Sequence, residues 1–168
     1  MKKIFLSNIF YALTIPCLLL FSFTTVTYRA NFSGEWKLDE SKSELGNAAG
    51  RTARSLKAEQ KENDLTISRT TPGFNGGNPV TTTFTVTYDG KTTESEGFGG
   101  SKRKSTAKWS DDGSTLTINS VMTFERDGQT MEFKSVETWS LTSEGLLSVV
   151  TQTTSSRGES TTKAVYSK

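Results

Sequence analysis

The sequence has no histidine and only one cysteine, Cys17, and this excludes much common protein chemistry. Without histidine, neither a Ser-His-Asp nor a Cys-His nucleophilic system can be assembled. The commonest zinc ligand is missing as well, and one cysteine cannot complete an ordinary structural zinc site. The chain also lacks a Walker A loop and a strand-turn-helix dinucleotide fingerprint. We therefore expect a protein that is not an enzyme and that has no metal and no cofactor.

The first 30 residues have the order of regions found in a secretory signal peptide. A short basic start is followed by an apolar stretch over Ile9 to Phe23, and then by small and polar residues. This order predicts export to the periplasm, the cell surface or the medium, with cleavage after Thr24 or after Ala30. The expected organisation is a signal peptide over residues 1–30 and one domain over residues 31–168.

Two other roles for this N-terminal segment stay open. The stretch from Ile4 to Val26 is just long enough to span a bilayer of about 30 Å as an uncleaved anchor. A lipid anchor on Cys17 is the less favoured reading, because no small residue precedes that cysteine. The polar interruptions at Thr14 and Pro16 favour a removable segment. The exported domain would then have no thiol and no disulfide, so its core alone must stabilise it.

The formal net charge of +2 overstates how basic the folded domain is. Lys2, Lys3 and Arg29 belong to the leader or its edge. Removing these three from the 20 basic residues leaves 17 against 18 acidic residues, a net charge of −1. An electrostatic argument for binding nucleic acid or an anionic membrane therefore fails, and we expect no nucleic-acid partner and, once the signal peptide is removed, no membrane span.

From Asn31 onward, the pattern is typical of an all-β domain. Thr, Ser, Val and aromatic residues alternate, and Gly or Asp-Gly turns recur at about 8–12 residues. The segment from Ser41 to Leu56 is the best helical candidate, but Gly46 and Gly50 weaken it by about 1 kcal/mol each. We expect a long loop there, with at most one short helical turn.

Turn sequences predict which strand residues face each other. A turn at Asp127-Gly128 pairs Met122 with Phe133 and Leu116 with Trp139. The remaining predicted pairs at this hairpin are Phe124 with Met131, Ser120 with Ser135 and Ile118 with Glu137. Nearly all the large apolar side chains then share one face, which is strong evidence for the register because a one-residue slip would reverse every side chain.

The neighbouring turns extend the same inward face. Asp112-Gly113 pairs Trp109 with Leu116 and Ala107 with Ile118, and a three-residue loop ending at Gly145 pairs Leu147 with Leu141 and Val149 with Trp139. Arg157-Gly158 is predicted to pair Ala164 with Thr151 and Tyr166 with Val149. Upstream, Asp89-Gly90 reads as another hairpin turn. About ten strands joined by short turns predict an antiparallel up-and-down meander that closes into an 8–10-stranded barrel, with a β-sandwich as second choice.

The first predicted strand carries a resemblance to a known family. Its sequence, Phe32-Ser33-Gly34-Glu35-Trp36-Lys37-Leu38-Asp39, resembles the opening strand of lipocalin-like (calycin-type) proteins, which carry Gly-x-Trp there. It is also similar to small exported bacterial proteins of uncharacterised function. The resemblance implies a barrel in which Trp36 closes the floor and in which an internal site often holds a small apolar molecule. The other lipocalin signatures are missing, so Trp36 could equally be a plain core aromatic.

Glu137 is the one acid that the predicted register places on the inward face. Burial would raise its pKa unless a cation such as Arg103, also predicted inward, compensates. It could be a polar contact in a ligand cavity, a residue at a barrel end or a member of a structural ion pair. A glycosidase needs two carboxylates, so a lone acid does not indicate one. The predicted ligand-binding residues are Trp36, Arg103, Trp109, Met122, Phe133, Glu137, Trp139 and Tyr166.

The middle of the predicted interior is polar. Small side chains there leave room either for a ligand with a few polar contacts or for a few buried waters. The residues concerned are Thr93, Ser95, Ser105, Ser120, Ser135 and Thr151.

Two Gly-rich loops each carry one phenylalanine, Phe74 and Phe98. These aromatics could form an entry portal or a contact patch, or they could plug a barrel end. The basic run at residues 102–104 could attract an anion or a lipid head group, although such a run more often protects a strand edge from mispairing. The first functional hypothesis is an exported protein that binds a small, partly apolar ligand. The alternative is a cell-envelope structural or interaction protein that uses these loops and holds no internal ligand.

Overall fold

The computed structural model describes residues 28–168 apart from residues 74–75, 127 and 157, and apart from the side chains of Phe98 and Arg126. The predicted signal peptide therefore lies almost entirely outside the described residues, as do Asp127 and Arg157 of two predicted turns. In chain order the strands are β1 Gly34–Leu38, β2 Ser55–Gln60, β3 Asp64–Thr71, β4 Val80–Thr87, β5 Thr93–Glu96, β6 Lys102–Trp109, β7 Thr115–Arg126, β8 Gln129–Leu141, β9 Leu147–Ser155 and β10 Gly158–Ser167.

These ten strands form one antiparallel sheet. Each strand pairs with the next strand along the chain, except that β4 does not pair with β5. The order is β4-β3-β2-β1-β10-β9-β8-β7-β6-β5, so β1 pairs with β10 and brings the chain ends together. The two edge strands, β4 and β5, lie side by side without a hydrogen-bonded ladder. The sheet is thus a nearly closed barrel, and the predicted all-β meander is confirmed.

The break between β4 and β5 corrects one expectation. Asp89-Gly90 does form a turn, with Gly90 at φ +73° and the Asp89 carboxylate accepting from the Lys91 amide at 3.1 Å. The strands on either side of it do not pair, so it is not a hairpin turn. A turn sequence predicts only that the chain reverses locally. Whether the two strands then pair also depends on the strands themselves, and β5 is only four residues long.

The register predicted for β6 to β9 is confirmed pair by pair. Trp109 faces Leu116, Met122 faces Phe133, and Val149 faces Trp139. The loop after β8 also has the predicted form, because the Thr142 amide donates to the Leu146 carbonyl at 2.8 Å and Gly145 has φ +76°. Alternation and turn chemistry agree throughout these strands, which is why one sequence is enough to establish their register.

The register predicted between β9 and β10 is wrong by two residues. Ala164 faces Val149 and Tyr166 faces Leu147, whereas Thr151 faces Thr162. The tight connection ends one residue earlier than expected, since Gly158 already pairs with Ser155. A shift of two keeps each side chain on its face, so the inward set survives the error.

The segment between β1 and β2 contains two short 3-10 helices, Glu40–Lys42 and Gly46–Arg51, where at most one helical turn was expected. Asp39 caps the first by accepting from the backbone amides of Ser41 and Lys42. Among the described residues, no helix is long and apolar enough to cross a bilayer.

The packed core fills one end of the barrel, which we call the closed half. Phe32 is fully buried there, with its ring stacked on Trp109 at 5.4 Å and edge-on to Trp139 at 5.8 Å. Trp36 is also buried and donates its indole N–H to the Phe32 carbonyl at 2.8 Å. Aliphatic side chains complete the closed half: Leu56, Leu65, Ile67, Val86, Leu116, Ile118, Leu147 and Val149.

Candidate ligand site in the open half of the barrel

The inner face of the barrel changes character along its strands. Beyond the closed half, inward-facing side chains are only partly buried, and we call this region the open half. It includes the ends of β7 and β8, which at 12 and 13 residues are longer than the other strands. Its inward side chains include Thr71, Val80, Thr82, Met122, Phe124, Met131, Phe133, Ser135, Thr151 and Thr153.

Four of these side chains form an apolar wall on β7 and β8: Met122, Phe124, Met131 and Phe133. Met122 faces Phe133, and Phe124 faces Met131, in register pairs two residues apart, so all four side chains lie on the same face of the sheet. The rings of Phe124 and Phe133 are stacked with centroids 5.3 Å apart and planes 15° apart. Partly exposed apolar side chains on a concave surface are the usual lining of a small-molecule site.

A buried ion pair lies deeper in the barrel. Arg69 on β3 donates to both carboxylate oxygens of Glu137 on β8, with Nη1 to Oε1 at 2.7 Å and Nη2 to Oε2 at 2.5 Å. The Trp139 indole N–H donates to the same carboxylate at 3.0 Å. The side chains of Arg69 and Glu137 are 17% and 5% exposed, respectively, so water contributes little to their solvation. The pair spans the barrel, and its two residues are 68 positions apart in sequence.

The surroundings of Glu137 keep it ionised. Burial alone would raise the pKa of this carboxyl, but the Arg69 charge, the Arg69 and Trp139 hydrogen bonds and the more distant Arg103 charge together lower it below its usual value. Burial also raises the pKa of Tyr166 to about 12, and its hydroxyl donates to the Ala53 carbonyl at 3.2 Å. Neither group is therefore placed to transfer a proton near neutral pH.

Arg103 does not neutralise Glu137 by direct contact, contrary to the sequence-based expectation. That role belongs to Arg69. The Arg103 guanidinium instead extends from β6 to the ring of Phe84 on β4, 4.5 Å from its centroid. The Arg69 guanidinium lies 5.1 Å from the same ring. The two cations therefore share Phe84, beside the seam between β4 and β5.

The structure divides the predicted ligand-binding residues between two regions. Trp36, Trp109, Trp139 and Tyr166 belong to the packed closed half, whereas Met122, Phe133 and Arg103 are partly exposed in the open half. Glu137 lies at the boundary. The tryptophans thus help to form the floor and the core, and the side chains available to a ligand are those of the open half.

Arg69 is the main residue that sequence reasoning missed. A signal for it was present, because Leu65, Ile67 and Arg69 alternate inward on β3. The two polar residues that follow, Thr70 and Thr71, resemble the start of a loop, so the inward alternation of β3 is not recognised as far as Arg69. Phe74 and the Phe98 side chain lie outside the described part of the chain, so the portal prediction and the loop-based alternative stay predictions.

Two surface depressions of about 460 Å³ each lie outside the open half. One is lined by Arg29, Asn63, Thr87, Tyr88 and Asp89, and the other by Lys108, Trp109, Ser110, Asp111, Thr117 and Asn119. Both are open to solvent, and neither contains a residue of the apolar wall. Among the described residues, no group of three or more potential metal ligands converges.

Comparison with known proteins gives a likeness in structure but none in sequence. No protein-family model and no curated protein matches the sequence. Among solved structures, the chain is similar to the zebrafish ileal bile acid-binding protein, crystallised in complex with cholic acid, with a TM-score of 0.52 and 21% identity. The match covers 82% of this chain and 98% of that one. An identity this low establishes the fold and nothing further, so the protein has a calycin-type β-barrel.

Proposed function

We propose that this protein is an exported binding protein that holds a small, partly apolar molecule in the open half of its barrel. The observation that carries the proposal is the apolar wall, whose four side chains face inward and are only partly buried. Apolar side chains left partly exposed on a concave surface gain about 25 cal/mol per Å² when a ligand covers them. The ring pair Phe124–Phe133 provides the largest flat surface on this wall.

The rest of the open half supplies the polar groups that orient a ligand. Small hydroxyl side chains line the opposite strands, including Thr71 and Thr82. At the inner boundary of the open half, the buried Ser105 and Ser120 hydroxyls bond to each other at 2.9 Å, so they are already satisfied without a ligand. The structural neighbour, which has the same kind of barrel, binds cholic acid. This supports a site for a molecule with apolar and polar faces.

The exported location rests on the N-terminal sequence, with its basic start, apolar stretch and small residues up to Ala30. The proposal includes no reaction. Residues 31–168 contain neither histidine nor cysteine, and Glu137, the one acid on the inner face of the strands, is held by Arg69 and Trp139.

The test is titration with anilinonaphthalene sulfonate, whose fluorescence rises in apolar surroundings. We expect saturable binding to the native protein and roughly tenfold weaker binding to Phe133→Ala, because the truncation removes about 1.5 kcal/mol of apolar contact. Val136→Ala is the matched control, since Val136 is on the same strand but on the outer face and is 37% exposed. Equal affinities for the two variants would contradict the proposed site, as would no binding to the native protein.

A further inference from the structure

We infer that Met122 and Met131 form an oxidation-sensitive site, at which a hydroperoxide makes the apolar wall polar and thereby releases the ligand. The inference rests on the proposed function, because it concerns the regulation of the same ligand site. It adds the two residues that respond to an oxidant, the chemistry of the response and the direction of its effect on binding.

The sulfur atoms of the domain are concentrated in the apolar wall. Residues 31–168 contain no cysteine and only two methionines, Met122 and Met131. Met122 is on β7 and Met131 is on β8, and both side chains belong to the inner face. The three tryptophans, whose indole rings can also be oxidised, are buried in the closed half. Because peroxides oxidise sulfur readily, an oxidant that enters the barrel reacts at these two thioethers.

The two methionines flank the stacked pair of phenylalanine rings. Met122 faces Phe133 and Met131 faces Phe124 in register pairs two residues apart, so the methionines occupy the two corners beside the ring pair. Contact between a thioether and an aromatic ring is favourable and apolar. Both methionine side chains are only partly buried. A small oxidant therefore reaches them from the open half while the protein stays folded.

The modification is the transfer of one oxygen atom to each sulfur. The sulfur lone pair attacks one oxygen of the hydroperoxide, an S–O bond forms and the O–O bond breaks. The proton of the transferred hydroxyl group moves to the departing oxygen, which leaves as water or as an alcohol. The sulfur is oxidised by two electrons to a sulfoxide, and the peroxide is reduced by the same two electrons. Because the oxidant supplies both the oxygen and the proton, the step requires no catalytic residue of the chain.

Oxidation changes the chemistry of the wall that a ligand would cover. A sulfoxide is polar, and its oxygen loses its hydrogen bonds to water when an apolar ligand covers it. The side chains that face the two methionines across the strands are phenylalanines, which donate no hydrogen bond in exchange. Binding to the oxidised wall is therefore weaker. The same contact acts in the other direction, because a bound ligand covers the thioethers and slows their oxidation.

The loss of binding does not require a loss of the fold. Neither methionine belongs to the cluster of buried side chains that forms the core. The contacts of Phe32 with Trp109 and Trp139 lie in the closed half, away from both sulfur atoms. Methionine sulfoxide is also reduced back to methionine by dedicated reductases, one for each epimer. Oxidation is therefore a reversible change at the ligand site.

The experiment treats the purified protein with hydrogen peroxide, removes the peroxide and titrates the protein with dodecanoate in a calorimeter. Peptide mapping should find one added oxygen atom at Met122 and one at Met131. Dodecanoate binding should weaken at least about tenfold, since burial of one methionine side chain contributes about this much. Treatment with both sulfoxide reductases should restore the affinity. Saturation with dodecanoate before the peroxide is added should slow the oxidation of both methionines.

Two controls assign the effect to the thioethers. The double variant Met122→Leu, Met131→Leu retains apolar side chains of similar volume but has no sulfur in the wall. Its affinity for dodecanoate, whatever the starting value, should be the same before and after peroxide treatment. Urea unfolding of the oxidised native protein should have nearly the same midpoint as that of the untreated protein, because the core is unchanged.

The outcomes separate the two proposals. If the oxidised protein bound dodecanoate as tightly as the untreated protein, or if the methionines stayed unmodified, the inference would be overturned and the binding site would remain. An equal loss of affinity in the double variant, or unfolding of the oxidised protein, would overturn the inference as well. Failure of the untreated protein to bind dodecanoate would overturn the proposed function and the inference together.

Discussion

At the scale of single residues, the buried pair of Arg69 and Glu137 is the most informative feature of the barrel. Transfer of a carboxylate out of water is costly, and here a bidentate guanidinium and an indole N–H compensate for it. Removing one member of such a pair leaves the other unpaired and buried. The pair therefore connects β3 to β8 across the interior, and it makes the stability of the barrel depend on one ionised carboxyl.

This dependence predicts the effect of acid. The pKa of Glu137 is lower in the folded protein than its ordinary value of 4.5, so the unfolded chain takes up this proton first as the pH falls. The stabilisation is present above about pH 4.5 and is lost as the pH falls through the lower, folded pKa. In urea unfolding, Glu137→Gln should be about 3 kcal/mol less stable than the native protein at pH 7, and this deficit should shrink toward pH 2.

Glu132→Gln is the control for this measurement. Glu132 is on the same strand, but it faces outward, is 48% exposed and pairs with the exposed Lys134. Its replacement should change stability by less than about 1 kcal/mol at any pH. If the stability deficit of Glu137→Gln stayed constant from pH 7 to pH 2, the pKa of this carboxyl would not differ between the folded and the unfolded protein, which would contradict the prediction.

Sequence alone could place Glu137 on the inner face but could not find its partner. Hairpin register is local information, and it extends from β6 to β9 through short turns. Arg69 lies on the other side of the barrel, and no turn relates β3 to β8. Contacts between distant strands follow from closure of the barrel, which depends on the pairing of β1 with β10.

At the scale of elements, the strap formed by residues 28–33 closes one end of the barrel. The Gln60 side chain holds it twice, accepting from the Phe32 amide at 2.9 Å and donating to the Ala30 carbonyl at 3.0 Å. Arg29 lies over the ring of Tyr88 at 5.0 Å. Phe32 then inserts between Trp109 and Trp139. The strap makes the closed half a packed core, whereas the apolar wall at the other end has no such cover among the described residues.

The contrast between the two halves predicts different costs for removing a phenylalanine ring. Phe32→Ala should lower the free energy of unfolding by about 3–5 kcal/mol, because it leaves a cavity among rigid aromatic rings. Phe133→Ala should cost only about 1 kcal/mol, since its partly exposed site leaves no closed cavity. Urea unfolding of the two variants measures both values. Similar losses would contradict the division into a packed and an open half.

Elements also show where local sequence signals fail. The β9–β10 hairpin was placed two residues out of register because Arg157-Gly158 looks like the centre of a tight turn, whereas Gly158 begins β10 with φ +107°. The inward face was still correct, because an even shift preserves side-chain direction. The alternation of apolar and polar residues therefore predicts correctly which side chains face inward. The turn sequences predict the strand register correctly from β6 to β9, but not between β9 and β10.

At the scale of the whole molecule, ten strands enclose an interior whose two ends differ. The meander and its inward face could be derived from alternation and turn spacing. The seam between β4 and β5 could not, because Asp89-Gly90 looks the same whether or not its strands pair. The sequence also does not predict the division into a closed half and an open half, because that division depends on the length of β7 and β8 and on the strap. The proposed ligand site follows from that division.

The most direct test of this site uses methyl signals of methionine in an NMR titration with dodecanoate. Met122 and Met131 both belong to the apolar wall, and replacing each by leucine assigns its signal. We expect both methyl signals to shift and saturate together, while the indole N–H signal of Trp36, buried in the closed half, stays in place. Methionine signals that do not respond, or a response confined to Trp36, would contradict a ligand site in the open half of the barrel.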